Sequence, residues 1–206
     1  MKNILTFTSI LIIGINSFAQ NETGTFIDSR DGYSYNTVKI GKQIWLAENL
    51  NYRNDYRSYY YNFDSSHYYM YGRLYDFETA KHVCHTGWHL PSETEWTTLL
   101  NFLGGIKVAA EEMKSGGFSA RLGGGFSYTN SEHTINYHPG LAEHKLYFGD
   151  IMKNVYYLGS LGCWWAIDVN GETLKVLIAN KSKKVAIQKH RDKNYSWFYS
   201  VRCLKD

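Results

Sequence analysis

The sequence predicts an α+β fold, with two early helices, antiparallel sheets and long ordered loops. Three observations carry this. β-rich, alternating runs occupy residues 33–46 and recur from residue 164 onward. Helical patterning is confined to residues 76–103. Strands and helices do not alternate in the way that parallel βαβ units require.

The elements follow in chain order. Met1-Lys2-Asn3 is a short basic start, residues 4–15 are mostly apolar, and Ser17 and Ala19 are small residues before Gln20. This pattern predicts a signal peptide over 1–19, cleaved near Ala19, with an apolar stretch too short to span a bilayer. A single domain is then expected over 20–206, exported to the periplasm or beyond, with no transmembrane segment. Residues 20–25 read as a polar arm. Residues 33–40 and 43–46 form a hairpin around Gly41-Lys42, which suits a two-residue type II′ turn. Half of the 18 tyrosines fall between Tyr52 and Tyr75 without helical or strand period, which predicts a long ordered loop.

The first helix is expected over 76–83 with Asp76 as N-cap. The second is the best defined. Ser92 and Glu95 make an S-x-x-E capping box after Pro91, Trp96, Leu99, Leu100 and Leu103 form the apolar stripe, and Gly104-Gly105 ends it. Loops with interspersed aromatics dominate 116–162. Residues 164–169 and 173–179 flank Asn170-Gly171, the signal of a type I′ hairpin. Residues 185–187 and 196–203 supply further strands. The last strand can meet the first hairpin in one sheet.

Composition narrows the function classes. With 206 residues, 17% aromatics and only 2 prolines, the chain is neither disordered nor collagenous. A formal charge of +3 is too small to imply nucleic acid. The lysines of 175–193 read as the solvated face of a hairpin. Export permits disulfides, and three cysteines allow one pair with one left over; spacing alone does not choose the pair.

Four blocks then point to a family. They are Asp28-Ser29-Arg30-Asp31-Gly32-Tyr33 running on through Trp45-Leu46-Ala47-Glu48-Asn49-Leu50; Tyr71-Gly72-Arg73-Leu74-Tyr75; Cys84-His85-Thr86-Gly87-Trp88-His89-Leu90-Pro91-Ser92-Glu93-Thr94-Glu95-Trp96; and Ser200-Val201-Arg202-Cys203. Together they resemble the Fibrobacter succinogenes major paralogous domain (FISUMP) family, over nearly the whole chain after the leader. The third and fourth blocks are also distantly similar to formylglycine-generating, sulfatase-modifying domains, which implies a C-type-lectin-like fold. The family blocks contain Cys84 and Cys203 but not Cys163, so the resemblance implies a Cys84–Cys203 disulfide and a free thiol at Cys163.

The residues predict no catalytic group, metal site or cofactor. His82, Cys84, His85 and His89 crowd together, but Gly87 and Pro91 break the helix that would align His85 with His89. G-x-S-x-G, Walker A and dinucleotide motifs are missing from the sequence. Glu95 closes the capping box and Glu93 suits a helix N-terminus. The segment 28–32 lacks the spacing of a calcium loop and reads as a turn. What remains is aromatic surface. Tyr combines a flat apolar face with a polar tip, and Tyr56, Tyr59, Tyr60, Tyr61, Tyr68 and Tyr69 are the candidate binding residues. The expectation is a secreted, non-catalytic recognition module for a polysaccharide or a cell-surface protein. The alternatives are a sulfatase-modifying-type thiol or metal-dependent oxidase, and a structural envelope protein.

Overall fold

The computed structural model describes residues 22–54, 58–60, 68–129, 155–156, 160–191 and 195–206. These residues form an α+β structure of two sheets with short helices.

The smaller sheet grows from the first hairpin. β2 (Ser34–Ile40) and β3 (Gln43–Leu46) pair antiparallel with Ile40 opposite Gln43, leaving Gly41-Lys42 as the connection. Gly41 has φ +62°, a conformation that glycine adopts without steric cost. The expected polar arm is instead a strand. β1 (Glu22–Ile27) pairs antiparallel along β2. Nearly all of its residues are exposed, so no hydrophobic alternation marks it in sequence; backbone pairing and the single half-buried ring of Phe26, 4.9 Å from Trp88, hold it. The turn between β1 and β2 closes where the Gly32 amide donates to the Asp28 carbonyl at 2.8 Å.

The first expected helix is shorter than its pattern. α2 (Phe77–Ala80) starts where the Asp76 carboxylate accepts the Thr79 amide at 2.8 Å, and irregular turns follow it. α3 (Glu93–Phe102) follows its reading closely. Ser92 and Glu95 form the reciprocal capping box, and Trp96, Leu99 and Leu100 are buried. At its end the Gly105 amide donates to the Leu100 carbonyl at 2.7 Å, and Gly104 and Gly105 both have positive φ. α4 (Ala109–Ser115) was not anticipated: its N-cap, Val108, makes no side-chain cap bond, and the helix has only 7 residues.

The Tyr-rich segment is not one loop. It contains β4 (Ser58–Tyr60), α1 (Tyr68–Tyr71) and β5 (Arg73–Tyr75). Cross-strand pairing rather than periodicity makes these short elements. β5 lies between β4 and β12 (Tyr195–Ser200) in the larger sheet. That sheet continues through β9 (Leu161–Ile167), β10 (Thr173–Ala179) and β11 (Val185–Lys189). β12 pairs parallel with β9 through Ser200 and Trp164. On β12's N-terminal half, β7 (Gly125–Thr129) pairs antiparallel, followed by β8 (Val155–Tyr156).

The β9–β10 turn corrects the type I′ expectation. Ile167 pairs with Thr173, and the Asp168 amide donates to the Glu172 carbonyl at 3.0 Å, so three residues rather than two cross the turn. Gly171 takes φ +80°, as a type I turn with a glycine bulge requires. The Asp168 carboxylate accepts the Asn170 and Glu172 amides, which stabilises this form over the two-residue turn.

The last strand divides between the sheets. Residues 195–200 belong to the larger one, while β13 (Leu204–Lys205) lies between β3 and β6 (Trp88–His89) in the smaller. Val201, Arg202 and Cys203 cross between them. The Leu50 amide donates to the Val201 carbonyl at 2.8 Å and Leu46 to Cys203 at 3.1 Å. Alternation along β9 feeds two apolar clusters: Trp164 and Ala166 enter one, with α3 and α4, while Cys163 and Trp165 enter the other. Cys84 and Cys203 are joined by a disulfide with Cα atoms 5.9 Å apart, fastening the stretch after α2 to the approach of β13.

Candidate functional site

Of the six candidate tyrosines, only Tyr59 has its side chain among the described residues. Tyr56 and Tyr61 lie outside the described residues, as do the side chains of Tyr60, Tyr68 and Tyr69. Tyr59 is half-buried, its ring edge-on to Phe198 at 5.0 Å between centroids. Two neighbours are structural. The Tyr75 hydroxyl donates to the Tyr52 carbonyl at 2.7 Å, and the Tyr52 ring lies 3.7 Å beneath the Arg30 guanidinium carbon.

A different aromatic group forms on the Trp165 side of the larger sheet. The Trp165 ring is 4.5 Å from Tyr199, 5.2 Å from His190 and 5.4 Å from Phe77. Trp197 stacks on Tyr199 at 5.7 Å and meets the His190 ring nearly perpendicularly at 6.1 Å. Trp165 and Tyr199 are buried, while Phe77, His190 and Trp197 are half-buried and form the outer part of the group. The buried Trp165 indole donates to the Tyr75 carbonyl at 2.7 Å, which fixes the base of this group. The offset and edge-on arrangement suits aromatic quadrupoles.

α2 carries this group to a polar neighbour. Phe77 has the Lys81 ammonium 5.4 Å from its ring centre, and Lys81 pairs with Glu78 at 2.6 Å. Glu78, Thr79 and His82 line an open recess of about 410 Å³ together with Asn54. Its lining residues carry amide, hydroxyl, carboxylate and imidazole groups, and three of them share α2 and its following turn with Phe77. Sequence reasoning missed the assembly because its members come from distant positions. Only the parallel pairing of β12 with β9 brings Trp197 and Tyr199 to Trp165.

The histidine-rich block has another role. Both nitrogens of His89 face carboxylates: Nδ1 donates to Asp206 at 2.6 Å and Nε2 to Glu95 at 2.8 Å. Two carboxylate acceptors require a protonated ring. Burial opposes that charge, but the hydrogen bonds to Asp206 and Glu95 outweigh it and raise the His89 pKa. Glu95 also accepts the Ser92 amide and hydroxyl, both at 2.7 Å. The serine hydroxyl therefore bonds a carboxylate, not the imidazole, which is not the order of a nucleophilic triad. The His85 Nε2 lies 2.9 Å from the Ser29 hydroxyl. Among the described residues no three His, Cys, Asp or Glu side chains converge as a metal site. Cys163 is buried and free, and burial pushes its thiol up to about 12.

A disulfide-closed α+β domain, with its last strand shared between two sheets, defines the structural class. A family model described as the Fibrobacter succinogenes major domain matches residues 38–205, and the chain belongs to that family. Comparison with curated proteins and with solved structures found no match.

Proposed function

We propose that this protein is an exported, non-catalytic recognition module that binds polysaccharide across Phe77, His190 and Trp197 and the recess beside them. The observation that carries this reading is the group of half-buried rings Phe77, His190 and Trp197 around Trp165 and Tyr199, with α2 and the turn after it carrying Phe77 as well as Glu78, Thr79 and His82 of the recess. Sugar rings have apolar C–H faces and polar rims, which stack on aromatics and hydrogen-bond to amides and carboxylates. Trp165 and Tyr199 are packed beneath, so the outer rings need little ordering on binding.

Export rests on the leader pattern and on the disulfide, a bond that persists in oxidising compartments. No helix among the described residues is long and apolar enough to cross a membrane. The C-type-lectin-like scaffold belongs to the same proposal. It is supported by the sharing of one sheet by the first hairpin and β13, and by the disulfide linking the region after α2 to the chain's end. A thiol held up at about 12 is a poor nucleophile at neutral pH, which disfavours the thiol-oxidase alternative.

Affinity electrophoresis against a panel of soluble polysaccharides tests the reading. Retardation by at least one glycan is expected, with about tenfold weaker binding in Trp197→Ala or Phe77→Ala. Tyr59→Ala, on the opposite side of its sheet, serves as the comparison. Retardation by no glycan, or equal retardation of the parent and both variants, overturns the proposal. Retention only of surface proteins would favour a protein partner instead.

A further inference from the structure

We propose that the end of the molecule formed by residues 41–42, 102–108 and 180–184 is a docking surface for an anionic phospholipid bilayer. Three exposed large apolar side chains are concentrated there: Phe102 (57% exposed), Ile106 (54%) and Val108 (47%). Two glycines admit two of them. A Cβ at Gly41 would come within 3.0 Å of the Phe102 ring, and one at Gly104 within 3.0 Å of Val108. Phe102 thus lies over the β2–β3 turn, and Val108 over the end of α3.

Backbone hydrogen bonds attach a third turn to this surface. The Val185 amide donates to the Ile106 carbonyl at 2.8 Å, and the Ala110 amide to the Lys183 carbonyl at 3.2 Å. The Lys114 ammonium holds the same turn by donating to the Asn180 carbonyl at 2.8 Å. Lys181, Lys183 and Lys184 are thereby brought beside the apolar side chains, with Lys107 among them in sequence and Lys42 in the turn whose Gly41 meets Phe102; all five are exposed. Among the described residues only Lys183 of these five has a carboxylate within reach, Glu111 at 3.6 Å, and Glu112 is the other acidic residue of that stretch.

Exposed apolar tips ringed by ammonium groups match the layering of an anionic bilayer. Phosphates meet the lysines while Phe102, Ile106 and Val108 enter the headgroup–acyl boundary. Free polyanions would use the lysines but not the apolar tips.

Co-sedimentation with phosphatidylglycerol–phosphatidylcholine vesicles, compared with phosphatidylcholine alone, tests this on the full chain and two variants. The parent should bind the anionic vesicles and release on raising salt. Lys107→Glu/Lys181→Glu/Lys184→Glu should bind at least about tenfold less. Phe102→Ser/Ile106→Ser should also bind less, with an unchanged circular dichroism spectrum. Parent and variants share residues 1–19, so weaker binding by a variant is not due to that apolar stretch. Equal binding by all three proteins, or no preference for phosphatidylglycerol, overturns the proposal. So does binding that only the lysine variant loses, which would indicate a soluble polyanion site.

Discussion

Arg202 donates to the Asn49 Oδ1 at 2.8 Å, and neither side chain reaches solvent. The guanidinium also donates to the Leu46 carbonyl at 3.0 Å and the Phe118 carbonyl at 2.7 Å, and lies 4.4 Å over the Phe118 ring. Among the described residues no carboxylate pairs with it; carbonyl dipoles and a ring face compensate the charge. Burial pushes its pKa down to about 9, which leaves it protonated at neutral pH. Asn49 is saturated. Its Oδ1 accepts from the Trp164 indole as well, and its Nδ2 donates to the Tyr71 carbonyl and the Ser200 hydroxyl. Two family blocks, far apart in sequence, thus lock the crossing between the sheets.

Removing either partner strands buried polar groups. Arg202→Met keeps much of the volume but leaves the Leu46 and Phe118 carbonyls without this donor. Asn49→Leu orphans the Trp164 indole and takes one acceptor from a buried charge. Each should cost about 3 kcal/mol or more, by the desolvation of the groups left behind. Urea unfolding measures this. The double variant should lose less than the sum of the two, because the shared bond is counted once. Strict additivity would show that the two side chains are not coupled.

A second buried charge lies at the first turn. Asp28 is wholly buried and takes a bidentate contact from Arg30, 2.9 Å from Nε and 2.6 Å from Nη2. Burial works against the carboxylate, but the hydrogen bonds from the Arg30 side chain and amide outweigh it and lower the pKa. Arg30 also donates to the Val83 carbonyl at 2.8 Å, next to the disulfide. Asp28→Ala leaves the guanidinium without its anion, and a loss of about 3 kcal/mol is expected. Arg30→Ala strands the more deeply buried partner and should cost no less. If Arg30→Ala were neutral in denaturant unfolding, the pair would be an ornament of the surface.

How much of this could be read in advance depended on range. The Ser92–Glu95 capping box is a contact across three residues, and it stands as its spacing implied. The disulfide followed from which cysteines lie in the family blocks, not from any geometric signal. β1 was missed because its exposed Thr and Gly residues show no buried face, and α4 because Val108 supplies no cap. The aromatic group escaped for another reason: Phe77, Trp165, His190 and Trp197 are assembled by strand order, and one sequence carries no direct record of register. The same holds for Asn49 and Arg202, whose positions were inside known blocks while their mutual bond was not visible.

The disulfide and the odd thiol make a joint prediction. The bridge closes a sequence separation of 119 residues, for which the chain-entropy model gives about 4–5 kcal/mol. Cys84→Ser/Cys203→Ser should therefore unfold at markedly lower urea concentration, while Cys163→Ser should change little beyond the cost of a buried hydroxyl. Burial that holds the Cys163 thiol near 12 predicts slow reaction with a disulfide reagent in the folded protein and rapid reaction of one thiol in denaturant. Two or more reactive thiols in denaturant without reductant would contradict the pairing.

His89 should give the stability curve two limbs. The groups facing its ring are Glu95 from α3 and Asp206 after β13, with Ser92 holding Glu95 and the exposed Lys205 beside Asp206. Its pKa is raised in the folded state, so its contribution is complete below the ordinary imidazole range and is lost as pH rises through the folded value. Glu95 has the opposite sign. Burial opposes its charge, but bonds from Ser92 and His89 lower its pKa, so its contribution is present above the ordinary carboxylate range and is lost as pH falls through the folded value. The His89 contact needs both charges, so the difference in Tm between the parent and His89→Gln should be bell-shaped in pH. It should be greatest in the mildly acidic range and shrink toward both ends. Glutamine can bond to one carboxylate but cannot carry the charge, so the variant tests the charge rather than the mere presence of a side chain. A difference independent of pH would mean that packing alone, and not the imidazolium, ties β6 to the end of β13.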